Sequence, residues 1–229
     1  MEGDVESEYI IKCEKGNNKL KVLNLYCGIG GNRKLWKDVE VTAIEINPEI
    51  AEIYRNLYPG DKVIVGDAHK FLIDHFSEYD FIWSSPPCPT HSRINHSFNG
   101  CKKNIVRYAD MKLYEEIILL LKYRKKPWLI ENVIPYYEPL IKPAAYRDRH
   151  CFWSNFQIDS HSVVNSADQP IANVTNGSER FGFSLKEYKA KDKRKILRNL
   201  VNPKLGLYLF ERAFKIQQKT LRNNLDYRK

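Results

Sequence analysis

The chain has 229 residues, 43% of them hydrophobic and 28% charged, and 37 Lys and Arg against 28 Asp and Glu give a formal net charge of +9. That length suits one α/β domain with a sizeable core and a small appendage, and is short for two full domains. The longest apolar run, Ile117 to Leu121, is too short to span a bilayer, so no membrane association is expected, and the positive surplus favours a polyanionic partner by attraction and counterion release.

The polar, acidic N-terminal stretch has no basic flank followed by an apolar segment, so a cytoplasmic protein without a secretory signal is expected. The cysteines, at positions 13, 27, 88, 101 and 151, are odd in number and form no C-x-x-C pair. Neither a disulfide framework nor a zinc ribbon fits that pattern, and reduced thiols follow. One of them is then open to a chemical role.

In chain order, residues 1–19 read as a polar lead-in. Lys21 to Tyr26 is a strand ending in the turn Cys27-Gly28-Ile29-Gly30-Gly31, and Asn32 to Lys37 can begin a helix. Val41 to Glu45 is a second strand, followed by a helix that Asn47 caps and Pro48 opens, running to about Tyr58 and stopped by Pro59-Gly60. Lys62 to Val65 and Tyr79 to Trp83 are further strands. A polar loop with Pro86, Pro87, Pro89 and Gly100 leads to an amphipathic helix from about Tyr108 to Tyr123. Trp128 to Ile130 and His150 to Trp153 read as strands. Beyond Asn155 come a polar segment, a Lys-rich stretch and a helix from about Pro203 to Lys219. Strands separated by helix-length segments imply an α/β fold with a mostly parallel sheet flanked by helices, and ligands of such sheets lie outside the carboxyl ends of the strands.

The candidate site residues fall at those ends. Gly28 and Gly30 permit a tight turn and close approach of backbone N–H groups to a ligand, although a plain strand-to-helix turn uses glycines too. Glu45 can accept hydrogen bonds from two ribose hydroxyls, and Asp67 can meet an adenine amino group; each alone is also an ordinary surface carboxylate. Three candidates at consecutive strand ends argue for a nucleoside cofactor.

The chemical half follows the fourth strand. In Ser84-Ser85-Pro86-Pro87-Cys88 two prolines stiffen the backbone and present Cys88 at the mouth of the sheet, as suits a nucleophile. Glu131 leaves an apolar strand, an environment that suits a carboxyl group donating a proton to a ring nitrogen, or else it caps a helix. Arg147 and Arg149 precede another strand and can hold a carbonyl oxygen or a phosphate; alone they are ordinary surface arginines. His91 and His96 have no acid or cysteine at ligand spacing, so they read as free loop histidines near the substrate and no metal is expected.

The order Tyr26-Cys27-Gly28-Ile29-Gly30-Gly31, Glu45, Gly66-Asp67, Pro86-Pro87-Cys88, Glu131-Asn132-Val133 and Arg147-Asp148-Arg149 resembles the successive motifs of DNA cytosine-5 methyltransferases. Glu179-Arg180-Phe181-Gly182-Phe183 and Arg198-Asn199-Leu200-Val201-Asn202-Pro203 resemble the family's closing motifs. The stretch Arg147 to Phe156 is similar in flavour to the de novo branch. The resemblance implies a Rossmann-like fold and S-adenosyl-L-methionine as methyl donor. It implies Cys88 as nucleophile on carbon 6 of a flipped cytosine, Glu131 on ring N3 and the exocyclic amine, and Arg149 with Arg147 on O2 and the flanking phosphate. It further implies a cofactor pocket lined by Tyr26, Gly28, Gly30, Pro87 and Asn199, with Glu45 on ribose, Ile46 on adenine and Asp67 at the adenine edge.

One departure stands out. Family members carry a sizeable recognition domain between the arginine motif and the closing motifs, whereas here only Gln157 to Ser178 is available, too little for a core of its own. The expected organisation is a lead-in at 1–19, a catalytic and cofactor-binding core at 20–156, a short recognition segment at 157–178 and a part returning to the core at 179–229. Double-stranded DNA is the expected partner, with sequence readout either reduced to a short or relaxed context or supplied by a partner protein. The loop lysines Lys102 and Lys103, with Arg107, and the run Lys186 to Lys195 suit phosphate contacts, or a solvated charged face. Cytosine methylation in tRNA and a catalytically idle nucleic-acid-binding regulator are the competing readings.

Overall fold

The computed structural model describes residues 19–93, 108–147, 149–159 and 174–226. Residues 1–18 of the lead-in, the loop residues His96, Gly100, Lys102, Lys103 and Arg107, and most of the expected recognition segment lie outside them.

Five strands, β1 (Leu20–Leu25), β2 (Val39–Glu45), β3 (Lys62–Val65), β4 (Phe81–Ser84) and β5 (Trp128–Val133), lie parallel in the order β3-β2-β1-β4-β5. A hairpin of β6 (Ala145–Arg147) and β7 (His150–Ser154) completes the sheet, with β7 antiparallel to β5 and β6 at the edge. The helices are α1 (Pro48–Leu57), α2 (Ala68–His75), α3 (Lys112–Tyr123), α4 (Val174–Phe181), α5 (Lys193–Arg198) and α6 (Pro203–Asp226). The α/β, Rossmann-like class expected from the sequence is the one observed. Strand order reverses between β1 and β4, which opens a crevice at their carboxyl ends.

A parallel sheet is buried on both faces, and its strands alternate between two clusters. From β1, Val22 packs with Trp36, Phe81, Trp83, Leu209 and Phe210 on one side. Leu23 and Leu25 pack with Leu72, Ile117, Leu120 and Trp128 on the other. A third, smaller cluster joins Ile29 of the first turn and Ile53 of α1 to Phe181, Phe183, Leu197 and Leu200, so the C-terminal segment packs over the glycine turn.

Several boundaries differ from expectation. No helix forms over Asn32 to Lys37: the segment is a series of turns, because its side chains are drawn into tertiary contacts. Arg33 makes a paired contact with Asp61, and Trp36 is buried, stacks on Phe210 and donates to the Gly206 carbonyl. Gly206 allows that approach, since a Cβ there would stand 2.5 Å from the Asn32 carbonyl oxygen. β5 runs on to Val133, so Glu131 and Asn132 lie within the strand rather than after it, held by pairing with Phe152 and Cys151 of β7. α2 and β6 are elements that the sequence pattern did not suggest. The stretch read as polar and Lys-rich contains α4 and α5, and the last helix extends to Asp226.

Candidate active site

The turn after β1 is shaped by three alternate residues with positive φ. Tyr26 has φ 54, Gly28 φ 55 and Gly30 φ 78, all in the left-handed region. At Gly30 a side chain would collide with the rings of Tyr58 and Tyr54 as well, whereas a Cβ on Gly28 would meet nothing within 4 Å. Gly28 therefore borders open space. Its N–H donates to Oε2 of Glu45 at 3.0 Å, and Oε1 of the same carboxylate accepts from the Asn47 N–H at 2.9 Å. Glu45 is buried, and Ile46 beside it is 68% exposed. Asp67 caps α2, its Oδ1 accepting from the N–H groups of His69 and Lys70. Tyr26, Gly28, Glu45, Ile46 and Asp67 thus gather at three adjacent strand ends.

Lys34 fastens the closing segment to this turn. Its ammonium donates to the carbonyls of Phe181 and Gly182 at 2.7 and 2.5 Å and lies over the Phe183 ring, and burial holds its pKa below the ordinary value. Asn199 is exposed at the C-terminus of α5, next to Leu200 of the third cluster.

The loop after β4 carries Cys88. Asn132, 2% exposed, donates from Nδ2 to the Pro86 carbonyl at 3.0 Å and so fixes the loop to β5. The Cys88 carbonyl accepts from the N–H groups of His91 and Ser92, turning the chain back directly after the thiol. Pro87 is exposed. The Cys88 thiol is pushed above its ordinary pKa, first by burial and then by the negative charge of Glu131; Arg149 and Lys195 act in the opposite direction. Those three charged groups therefore lie within electrostatic reach of the sulfur. Glu131 is buried, with Oε1 3.4 Å from Nε2 of His150.

The two arginines part company. Arg149 occupies the turn between β6 and β7, on the Cys88 side. Arg147 donates to the Asp159 carbonyl and lies over the ring of Tyr208 on α6. His91 is not a free loop residue: it is 1% exposed, and its Nδ1 lies 2.6 Å from the Tyr137 hydroxyl, because the turn after Cys88 folds the ring inward. Among the described residues no group of His, Cys, Asp and Glu is placed to hold a metal ion, and no helix is long and apolar enough to cross a membrane.

The sequence pattern does not single out Glu116, His69 or His150, and offers Ser84 only as a neighbour of the Cys88 loop and Lys195 only as part of a basic run. Glu116, on α3, is 1% exposed and accepts from Tyr26 and Ser84, at 2.6 and 2.7 Å. Its signal was present, as an acid on the stripe that Leu113, Ile117 and Leu120 otherwise make apolar.

Residues 20–137 match the sequence model of the C-5 cytosine-specific DNA methylase family. Among solved structures, the chain is similar to a mutant of DNMT2 from Spodoptera frugiperda at 28% identity, covering 50% of this chain and 35% of that one with a TM-score of 0.35. It is also similar to a putative DNA modification methyltransferase encoded within an Escherichia coli prophage (20% identity, 52% and 33% covered, TM-score 0.35). A third similar structure is an Agrobacterium tumefaciens SAM-dependent methyltransferase (16% identity, 57% and 42% covered, TM-score 0.36). The chain spans about a third of the length of the first two, at 35% and 33%. No curated protein sequence matches it.

Proposed function

The chain belongs to the C-5 cytosine-specific DNA methylase family, and on that premise we propose that it methylates carbon 5 of a cytosine flipped out of double-stranded DNA. The methyl donor that the family implies is S-adenosyl-L-methionine, which supplies a sulfonium methyl when bound. The residues present fit its nucleoside half: a buried carboxylate at Glu45 for the ribose hydroxyls, an exposed Ile46 for the adenine face, and open space beside Gly28. Asp67 has one oxygen in its helix cap and a second to offer an adenine amino group. Tyr26, Gly30, Pro87 and Asn199 complete the pocket in this reading.

The observation that carries the chemistry is that Glu131 of β5 and Arg149 of the β6–β7 turn lie within electrostatic reach of Cys88, whose loop Asn132 holds in place. Carbon 5 of cytosine is a weak nucleophile. A thiolate at Cys88 forms a bond to carbon 6, and the ring's electrons then make carbon 5 an enamine carbon able to take the methyl from a sulfonium, whose carbon–sulfur bonding pair would stay on sulfur as a neutral thioether. Glu131, hydrogen-bonded to ring N3 and the exocyclic amine, stabilises the charge that develops there. Arg149 holds O2. Loss of the carbon 5 proton to a base restores the 5,6 double bond and expels the thiolate. Arg147, packed on Tyr208, steadies the hairpin that carries Arg149. Residues 20–156 serve as the catalytic core and 179–229 as the part returning to it. With only residues 157–178 between the arginine motif and the closing motifs, a partner protein supplies much of the sequence readout.

The test is incubation with labelled cofactor and either duplex DNA or tRNA, with Cys88→Ala alongside. Label should enter DNA, and DNA containing 5-fluorocytosine should form a covalent complex that Cys88→Ala cannot form. Label in tRNA alone would overturn the DNA assignment in favour of the RNA reading.

A further inference from the structure

Glu116 lies under both halves of the site without belonging to either. A buried carboxylate is costly unless its lone pairs are taken up by donors. Three elements provide them: Tyr26 Oη and His69 Nδ1 approach Oε1 at 2.6 and 3.1 Å, and Ser84 Oγ donates to Oε2 at 2.7 Å. His69 also places Nε2 3.1 Å from the Glu115 carboxylate, so both ring nitrogens face acids and the doubly protonated ring satisfies both.

The donors stand where the two halves begin. Tyr26 opens the glycine turn and holds a backbone conformation that a non-glycine residue rarely adopts, so its side chain must be anchored. His69 follows Asp67 in the first turn of α2. Ser84 ends β4, the strand that leads into the Cys88 loop. β1 and β4 are neighbours at the point where strand order reverses, and Glu116 joins their ends through Tyr26 and Ser84. Its two oxygens divide the work, one toward the cofactor turn and α2, the other toward the Cys88 strand.

We propose that Glu116 is a positioning residue that locks the cofactor turn and the Cys88 strand into one register, so that occupancy of the nucleoside pocket is felt at the nucleophile. The inference rests on the methyltransferase reading. It assigns the coupling between cofactor and thiol to one carboxylate that touches neither.

The experiment measures calorimetric binding of S-adenosylhomocysteine and the rate of iodoacetamide alkylation of Cys88 with and without it, in the full chain. The variants are Glu116→Gln, Tyr26→Phe and Ser84→Ala, with thermal melting to establish that each is folded. Glutamine keeps the shape but replaces one acceptor with a donor, so one hydroxyl loses its partner. In the wild type, the bound analogue should change the alkylation rate by about fivefold, a modest coupling. Glu116→Gln should weaken analogue binding by about tenfold, the scale of one hydrogen bond to a charged group, and abolish the response at Cys88. Tyr26→Phe should weaken binding, and Ser84→Ala should leave binding nearly intact while blunting the response. A folded Glu116→Gln that keeps wild-type affinity and response overturns the inference and leaves the methyltransferase reading standing. A wild-type chain that binds no S-adenosylhomocysteine overturns both.

Discussion

Cys88 sits between opposing fields, with burial and Glu131 disfavouring its thiolate and Arg149 and Lys195 favouring it. Because the first pair prevails, the thiol is held above its ordinary value of about 8.5. Alkylation of the free protein should therefore be slow near neutrality and climb as pH is raised beyond that value. Glu131→Gln removes a negative charge and should speed alkylation at a fixed pH. Arg149→Ala and Lys195→Ala should slow it, and mass spectrometry of the modified peptide measures all three. Cys88, Glu131 and Arg149 were identifiable as candidates in the sequence because each lies in a short motif whose neighbours constrain it. Lys195 was not, since it reaches the thiol only through the return of the C-terminal segment across the sheet. His91 misled for the opposite reason: a polar residue in a polar loop gives no sign that the turn after Cys88 buries its ring.

Among the elements, α1 and β3 were read within a residue or two, because Asn47, Pro48 and Pro59-Gly60 mark their limits chemically. The false helix at Asn32 to Lys37 and the unexpected extension of β5 to Val133 share one cause. Arg33, Trp36, Glu131 and Asn132 take their places from partners distant in sequence, which local pattern does not register. α2 carries a pH-dependent link of this distant kind. His69 is raised above the ordinary imidazole value of about 6.5, chiefly by its hydrogen bond to Glu116, with Glu115 adding to the effect and burial and Lys112 opposing it. A group whose pKa is higher in the folded chain stabilises it fully below the unfolded value, and that contribution is lost as pH rises through the folded one. The melting temperature of the wild type should hence fall relative to that of His69→Gln as pH is raised above about 6.5, the two curves converging at alkaline pH. A constant separation across that range would exclude the ion pair as its source.

At the scale of the molecule, one sheet is covered by two walls of different origin. One, with α2 and α3, comes from the middle of the chain; the other takes Leu205, Leu209, Phe210 and Ala213 from α6. Phe210 is 2% exposed and packs against Trp36, Phe81 and Phe214. Phe210→Ala should cost about 3–5 kcal/mol, read as a lowered urea midpoint, because the rigid sheet behind it cannot collapse into the space. The parallel architecture was legible from the alternation of elements. The destination of α6 was not, since an amphipathic helix announces that it will be covered but not by what.

That late wall bears on how the protein is made. Ribosomes add about 5–20 residues per second, so every strand of the sheet is complete for some seconds before Phe210 is even synthesised. During that interval Val22, Trp36 and Phe81 have no α6 to cover them. The nascent chain then presents an apolar sheet face of the kind that chaperones hold and that neighbouring chains on one messenger can misjoin. Slower translation ahead of residue 203 would lengthen that exposure, and the yield of soluble protein should depend on codon choice there more than in the segments encoding the catalytic loop.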